Sequence, residues 1–284
     1  MKYWIVDTFA SSPFEGNPAA VCWLDTPYPP AALQEIAREF NLHETIFLSP
    51  LQNQHIQAQM FTPSAQESIC GHSLLAAAHV CWTEGAMTFD DDSSLYLETP
   101  KGIIHITHDG DNISIITKAK TAEPAAVPER LINALGSPPI AVSRCGQIYV
   151  VEMYNPKQVL KLEPDTAKLE KILCRGVVVT AEGGNDVSYD FMSRFFAPGV
   201  GVKEDDATLW THCFLGPYWA RRLNKNVLRA QQIASRNGSL DLECENGQVK
   251  ITGTCVTSMR GELCSPSSRV YCGDLFNPPH EEGK

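Results

Sequence analysis

The type and position of Glu44 would allow its side chain to move a proton on a small molecule. It follows an amphipathic segment at residues 31–40 and directly precedes the apolar run at residues 45–48. A carboxyl group at such a boundary can be partly desolvated, which raises its pKa toward the range useful for proton transfer. The alternative is an exposed glutamate at the end of a helix.

His72 and Asp205 each lie near the start of an apolar segment. At the first turn of a buried helix, His72 can donate to a substrate oxygen or relay a proton, but it can equally bond to a neighbouring loop. Asp205 can cap free backbone N–H groups, and this role is compatible with a place beside a substrate. Gly71 lacks a side chain, so a substrate carboxylate could approach the backbone there.

These residues belong to two segments that resemble each other in the order of their parts. The first begins with Phe-Thr-Pro at residues 61–63 and continues through a polar loop into apolar residues 74–82. The second begins with Phe-Ala-Pro at residues 196–198 and leads in the same way into residues 209–220. A helix that is apolar nearly all round must be enclosed on every side. We therefore expect two central helices, each inside its own half.

The predicted fold is α+β with two pseudo-duplicated halves, each a twisted, mostly antiparallel sheet wrapped around a central helix. We place the halves at residues 1–118 and 119–284, with the linker near residues 118–128 and the last residues either returning to the first half or disordered. A helix N-terminus carries about half a positive charge and free N–H groups. Two such termini facing one cleft would bind a small anionic molecule.

The composition excludes several classes of protein. The 284 residues are 43% hydrophobic and 20% charged, which is typical of a globular protein and not of a disordered chain. The net charge of −10 without a basic stripe argues against a nucleic-acid partner. The apolar stretches are too short to span a bilayer, and the amino terminus does not resemble a secretory signal. We expect a cytoplasmic protein without a membrane partner.

The ten cysteines do not indicate a metal or redox site, because no pair has C-x-x-C spacing. Most of them, such as Cys22 and Cys81, lie in apolar runs and are predicted to be small core residues. Cys264 and Cys272 could form a bridge in an oxidising compartment. Cys70, beside Gly71, is the exception to this prediction of a structural role.

Five stretches in the same order resemble the phenazine-biosynthesis PhzF-like family over essentially the whole chain. They are residues 14–21, 41–45, 70–72, 194–198 with Glu204-Asp205, and 235–253 with Arg260-Gly261. The resemblance implies the diaminopimelate epimerase fold, with the active site between two similar halves. It also implies an isomerase that moves a proton on a cyclic carboxylate-bearing substrate without a cofactor or metal, commonly as a homodimer.

The resemblance assigns roles to particular residues. The glutamate of an N-x-x-E motif is the family's catalytic acid/base, which here is Glu44, and the family's histidine and aspartate beside the substrate correspond to His72 and Asp205. The expected substrate-binding residues are Gly71, Ser73, Asn17 and Trp210.

The second central helix departs from the family pattern. The family usually has E-D-x-x-T-G-S-A-H, whereas this chain has E-D-D-A-T-L-W-T-H from Glu204 to His212. Leu209 replaces a glycine and blocks close backbone approach, and Trp210 replaces a small polar residue that helps to hold the substrate carboxylate. Either the pocket is reshaped, with Trp210 as a lid or stacking surface, or this half of the site is closed.

Three functions remain under consideration. The leading hypothesis is an isomerase in which Glu44 removes and returns a proton. A two-thiol racemase is disfavoured because Cys70 stands before the first helix but Thr208 occupies the matching second position. The third hypothesis is a non-catalytic protein that binds a metabolite or partner with a degenerate second half-site, and Leu209 and Trp210 are its evidence.

Overall fold

The computed structural model describes residues 1–51, 55–67, 71–85, 94–184 and 188–264, and the strands in these ranges belong to one hydrogen-bonded sheet. The strands of the first half are β1 (Lys2–Thr8), β2 (Asn17–Trp23), β3 (Glu44–Pro50), β4 (His55–Phe61), β5 (Gln66–Glu67), β6 (Ser94–Thr99), β7 (Gly102–Asp109) and β8 (Asn112–Lys118). Its helices are α1 (Pro30–Phe40) and α2 (His72–Thr83).

The second half contains more helices. Its strands are β9 (Glu123–Pro124), β10 (Ala141–Cys145), β11 (Ile148–Glu152), β12 (Gly176–Glu182), β13 (Phe191–Ala197), β14 (Val202–Asp205), β15 (Val227–Gln232), β16 (Gly238–Glu245) and β17 (Gln248–Glu262). Its α-helices are α3 (Glu129–Leu135), α4 (Pro156–Leu160), α5 (Thr166–Glu170) and α6 (Leu209–Leu223), and a 3₁₀ turn spans Pro198–Val200.

The strand pairings repeat between the halves. In the first half β2 is parallel to β3 and β4 is parallel to β6, and in the second half β11 is parallel to β12 and β13 to β15. The antiparallel pairs β3–β4, β6–β7 and β7–β8 correspond to β12–β13, β15–β16 and β16–β17. Helix α2 lies between β5 and β6, as α6 lies between β14 and β15. The predicted α+β duplication is confirmed.

The first half is completed by a strand of the second half. The first part of β17 pairs with β8 and β16, and residues 255–262 pair with β1. Strand β9, which directly follows β8, pairs with β10 and stays within the second half. The division after residue 118, where β8 ends, stays a prediction.

The two central helices are buried on nearly all sides, as their apolar sequences predict. In α2 every residue from His72 to Cys81 except His79 is buried. In α6 the buried residues include Leu209, Phe214 and Trp219, and apolar side chains of both helices share one core with the strands. Because burying each such side chain contributes roughly 1.5–3 kcal/mol, the helix starts are held firmly in place.

Helix α1 and a hairpin also agree with the sequence. The amphipathic helix predicted at residues 31–40 is α1, which packs Leu33 and Ala37 outside the sheet in a separate apolar cluster. Asn246 and Gly247 have φ of +50° and +73° and join β16 to β17, as expected of this two-residue turn. No helix among the described residues is long and apolar enough to cross a membrane.

Candidate active site

The starts of α2 and α6 meet face to face. A Cβ atom built on Gly71, the residue that precedes α2, would lie 2.9 Å from Cβ of Leu209 and 3.5 Å from the backbone nitrogen of Trp210. Neither Gly71 nor Thr208, the residues that precede the two helices, caps its helix with a side-chain hydrogen bond of its own. Two sets of backbone N–H groups, with the positive ends of two helix dipoles, therefore converge on one place between the halves.

Glu44 reaches this place from the start of β3. Its Oε2 accepts a hydrogen bond of 3.0 Å from the backbone N–H of Ser73, in the first turn of α2, and lies 3.2 Å from Nδ1 of His72. The side chains of Glu44 and His72 are only 15% and 2% exposed. The structure thus joins the predicted acid/base and the predicted histidine in one buried ion pair.

The expectation that desolvation raises the pKa of Glu44 is wrong. Burial alone would raise it, but the charge and hydrogen bond of His72, with the N–H of Ser73, outweigh burial and lower the pKa below the ordinary value of 4.5. For His72, burial is likewise the largest single influence and lowers the pKa, but Glu44 and Asp205 together raise it above 6.5. Between pH 4.5 and 6.5 the pair is therefore a carboxylate beside an imidazolium.

Asp205 comes from the second half, at the end of β14, and is held by Asn17 from the first half. The side-chain amide of Asn17 donates to Oδ1 of Asp205 at 2.8 Å and to the carbonyl oxygen of Ala207 at 2.6 Å. Asn17 is completely buried. Its observed role is therefore to tie the two halves together beside the site.

A buried glutamine that sequence reasoning missed fixes the chain between Asp205 and α6. Gln232 at the end of β15 accepts a hydrogen bond from the backbone N–H of Thr208 at 3.1 Å and donates to the carbonyl oxygen of Asp205 at 2.8 Å. Because glutamine has no special spacing relative to Asp205, the sequence offers no signal for this contact.

His43 is a second missed residue. Its Nδ1 lies 3.6 Å from Oδ1 of Asp205, and its side chain is 40% exposed. The contact with Asp205 is the main reason that the pKa of His43 is raised, while burial opposes the shift. Its position next to Glu44 in the sequence is a signal that could have identified it.

Several buried polar atoms around this place lack a hydrogen bond within the described part of the chain. They are Nε2 of His72, Oγ of Ser73 and Oδ1 of Asn17. The Pro18 carbonyl nevertheless contributes to the raised pKa of His72. Unsatisfied buried polar atoms are costly, and their concentration at one place is typical of a site that receives a ligand.

A model of the family described as phenazine biosynthesis-like protein matches residues 6–261. The chain belongs to this family. Uncharacterized isomerases of Halalkalibacterium halodurans and Pseudomonas aeruginosa are 37% and 39% identical, over 92% and 91% of this chain and 97% and 96% of theirs. The family and these names indicate an isomerase- or epimerase-type enzyme.

Solved structures agree with this assignment. A phenazine biosynthesis protein of the PhzF family from Enterococcus faecalis is 32% identical, with a TM-score of 0.87 over 93% of this chain and 98% of that chain. A probable proline racemase from Agrobacterium radiobacter is 11% identical, with a TM-score of 0.62 over 98% of this chain and 94% of that one, and shares the fold. The epimerase-like fold implied by the resemblance is confirmed.

Leu209 and Trp210, which depart from the family pattern, lie in different surroundings. Leu209 is buried in the core and faces Gly71. The Trp210 ring is 37% exposed, stacks under Nζ of Lys120 at 4.3 Å and meets Phe214 edge-on. Among the described residues, the ring of Trp210 has no contact with the Glu44–His72 pair, so its predicted substrate-binding role stays a prediction.

The remaining predicted residues are placed as follows. Ser73 supplies its N–H to Glu44, and Gly71 gives the two helix starts room to meet. Cys70, considered for a thiol mechanism, lies outside the described residues. In the described ranges no three His, Cys, Asp or Glu side chains are arranged to hold a metal ion.

The histidine inside α6 is a core residue. His212 donates from Nδ1 to the Thr208 carbonyl at 2.7 Å and stacks on Phe191, although its Nε2 has no hydrogen bond in the part of the chain described. Burial lowers its pKa to about 4, so the ring is neutral at physiological pH.

Proposed function

We propose that this protein is an isomerase that moves a proton on a small carboxylate-bearing substrate without a cofactor, with Glu44 as the acid/base. One observation carries the proposal. The Glu44 carboxylate is buried beside His72 and the N–H of Ser73 at the point where the starts of α2 and α6 meet.

In the proposed reaction Glu44 acts first as a base. It takes a proton from a carbon next to the substrate carboxylate or an alkene, and the C–H electron pair moves into the conjugated system. The backbone N–H groups at the two helix starts stabilise the negative charge that develops. Glu44, now a carboxylic acid, returns the proton to another carbon on the same face of the substrate.

His72 and the N–H of Ser73 lower the pKa of Glu44. A bound carboxylate that displaces water adds a negative charge near Glu44 and takes up helix N–H groups, and both effects raise the pKa of Glu44. Substrate binding would thus turn a weak base into one suited to removing a proton from carbon.

Hydrogen exchange in deuterated water tests this proposal. Candidate cyclic carboxylic acids are incubated with the protein, and deuterium incorporation is followed by NMR. Glu44→Gln should reduce exchange at least roughly a hundredfold while the protein stays folded. Glu98→Gln is the matched control, because it breaks another glutamate–histidine contact, that of Glu98 with His55 at 2.8 Å. Undiminished exchange in Glu44→Gln would refute the assignment of Glu44.

One observation favours the alternative that this protein is a non-catalytic member of its family and binds a metabolite or a partner. The side chain of Leu209 is packed against Gly71, where a glycine would leave the backbone of α6 open. If the alternative holds, carboxylic acids bind, but no exchange occurs with the wild-type protein at any pH. Exchange that depends on Glu44 eliminates this alternative.

A further inference from the structure

We propose that the His43 side chain is the anion-binding group at the mouth of this site and contacts the carboxylate of the substrate. This inference rests on the proposed function, since it concerns the same site and the same class of substrate.

The position of His43 supports this role. It directly precedes Glu44 in the chain, and its side chain interacts with those of Asp205 and His72. Of the four ionisable side chains gathered here, His43 is 40% exposed, whereas Asp205, Glu44 and His72 are 16%, 15% and 2% exposed. Nε2 of His43 makes no hydrogen bond with any residue that the structure describes. A ligand entering from solvent would therefore meet His43 first.

The charges around His43 make it the accessible cation. Glu44 is neutralised by His72, and Asp205 accepts a hydrogen bond from Asn17. Asp206, which also faces His43, is held by Ser235 and the backbone N–H of Arg236. Asp205 raises the pKa of His43 by more than burial and the charge of His72 lower it, and this favours the charged imidazolium. The carboxylates near His43 thus have partners of their own.

The start of α6 explains why such a cation is needed. Positions 209 and 210 carry a leucine and a tryptophan, so neither of these two residues offers a hydroxyl or a charged side chain to a carboxylate. The cation Lys120 is stacked over the Trp210 ring at 4.3 Å. His43 and Lys120 can therefore be distinguished as sources of positive charge by separate substitutions.

Binding of a small carboxylate to the full-length protein tests the inference. Benzoate and cyclohex-1-ene carboxylate are titrated at pH 6 and pH 8 by calorimetry, with the His43 ring followed by NMR. We expect His43→Gln to weaken binding at pH 6 about ten- to a hundredfold, the loss typical of one charge-assisted hydrogen bond. In the wild type binding should weaken as the pH rises, whereas in His43→Gln it should not depend on pH in this way.

Two further variants separate charge from structure. His43→Arg should restore binding at pH 6 and retain it at pH 8, because arginine stays protonated. Lys120→Met, which removes the other nearby cation, should bind like the wild type. Unchanged affinity in His43→Gln, loss of affinity only in Lys120→Met, or no carboxylate binding by the wild type would each overturn the inference.

The test also distinguishes this inference from the proposed function. In the Glu44→Gln background, carboxylate binding should still depend on His43 although proton exchange is lost. If Glu44→Gln keeps full exchange, the assignment of Glu44 fails, but the comparison of His43→Gln with the wild type still decides the role of His43.

Discussion

Replacing Gly71 with alanine should force apart the two helix starts that form the site. The new Cβ atom would lie 2.9 Å from Cβ of Leu209. Carbon atoms in contact normally stand about 3.5–4.0 Å apart, so α2 and α6 must separate by roughly 1 Å. Overpacking of this kind costs about 1–3 kcal/mol of unfolding free energy. A displacement of about 1 Å at reacting groups can also slow catalysis about a hundredfold.

Urea denaturation and deuterium exchange measure the two effects of Gly71→Ala. Gly199→Ala is the matched control, because its Cβ would meet only carbonyl oxygens, the nearest being that of Cys174 at 3.8 Å. Gly199→Ala should raise the free energy of unfolding by about 0.4–1 kcal/mol, because alanine makes the unfolded chain less flexible. This gain is the baseline against which Gly71→Ala is compared. If Gly71→Ala were as stable as Gly199→Ala and exchanged at the wild-type rate, the close approach of the helix starts would be disproved.

Three other variants give expected outcomes that can be measured by chemical denaturation. Asn17→Ala removes two buried hydrogen bonds between the halves and should lower the free energy of unfolding by roughly 2–4 kcal/mol. Glu44→Gln should lower the free energy of unfolding most between pH 4.5 and 6.5. The pair's contribution is lost above this range as His72, with its raised pKa, deprotonates, and below it as Glu44, with its lowered pKa, is protonated. His212 has a pKa lowered to about 4, so the unfolded chain binds its proton more readily. Acidification from pH 6.5 to 4 should therefore destabilise the wild type by on the order of 1 kcal/mol per unit through this group, and His212→Gln should reduce that slope. An unchanged slope would contradict the neutral state assigned to His212.

Local sequence signals predicted the elements that carry the site. The continuous apolar character of residues 74–82 and 209–220 corresponds to α2 and α6, because a helix without a polar face has to be enclosed. The order of F-x-P, polar loop and apolar helix revealed the duplication, since it depends on neighbouring residues alone. Glu44 and His72 each stand at the boundary of an apolar element, but the resemblance to the phenazine-biosynthesis PhzF-like family assigned them their roles.

The contacts that cross between the halves could not be predicted in this way. The Asn17–Asp205 hydrogen bond and the His43–Asp205 contact join residues that are distant in the chain, and Gln232 carries no motif at all. The pKa of Glu44 was predicted in the wrong direction for a related reason. Burial can be estimated from an apolar run, but the opposing effects of His72 and the N–H of Ser73 depend on where α2 begins in space.

Strand β17 joins the two halves as an exchanged strand joins the subunits of a dimer. Residues 255–262 belong to the second half but complete the sheet of the first half through β1. The first half alone would leave one edge of β1 unpaired, and an unpaired edge invites association with other chains. A fragment ending at residue 118 would lack both its closing strand and Asp205. The proposed active site and the folding of the first half thus both depend on strands contributed by the second half.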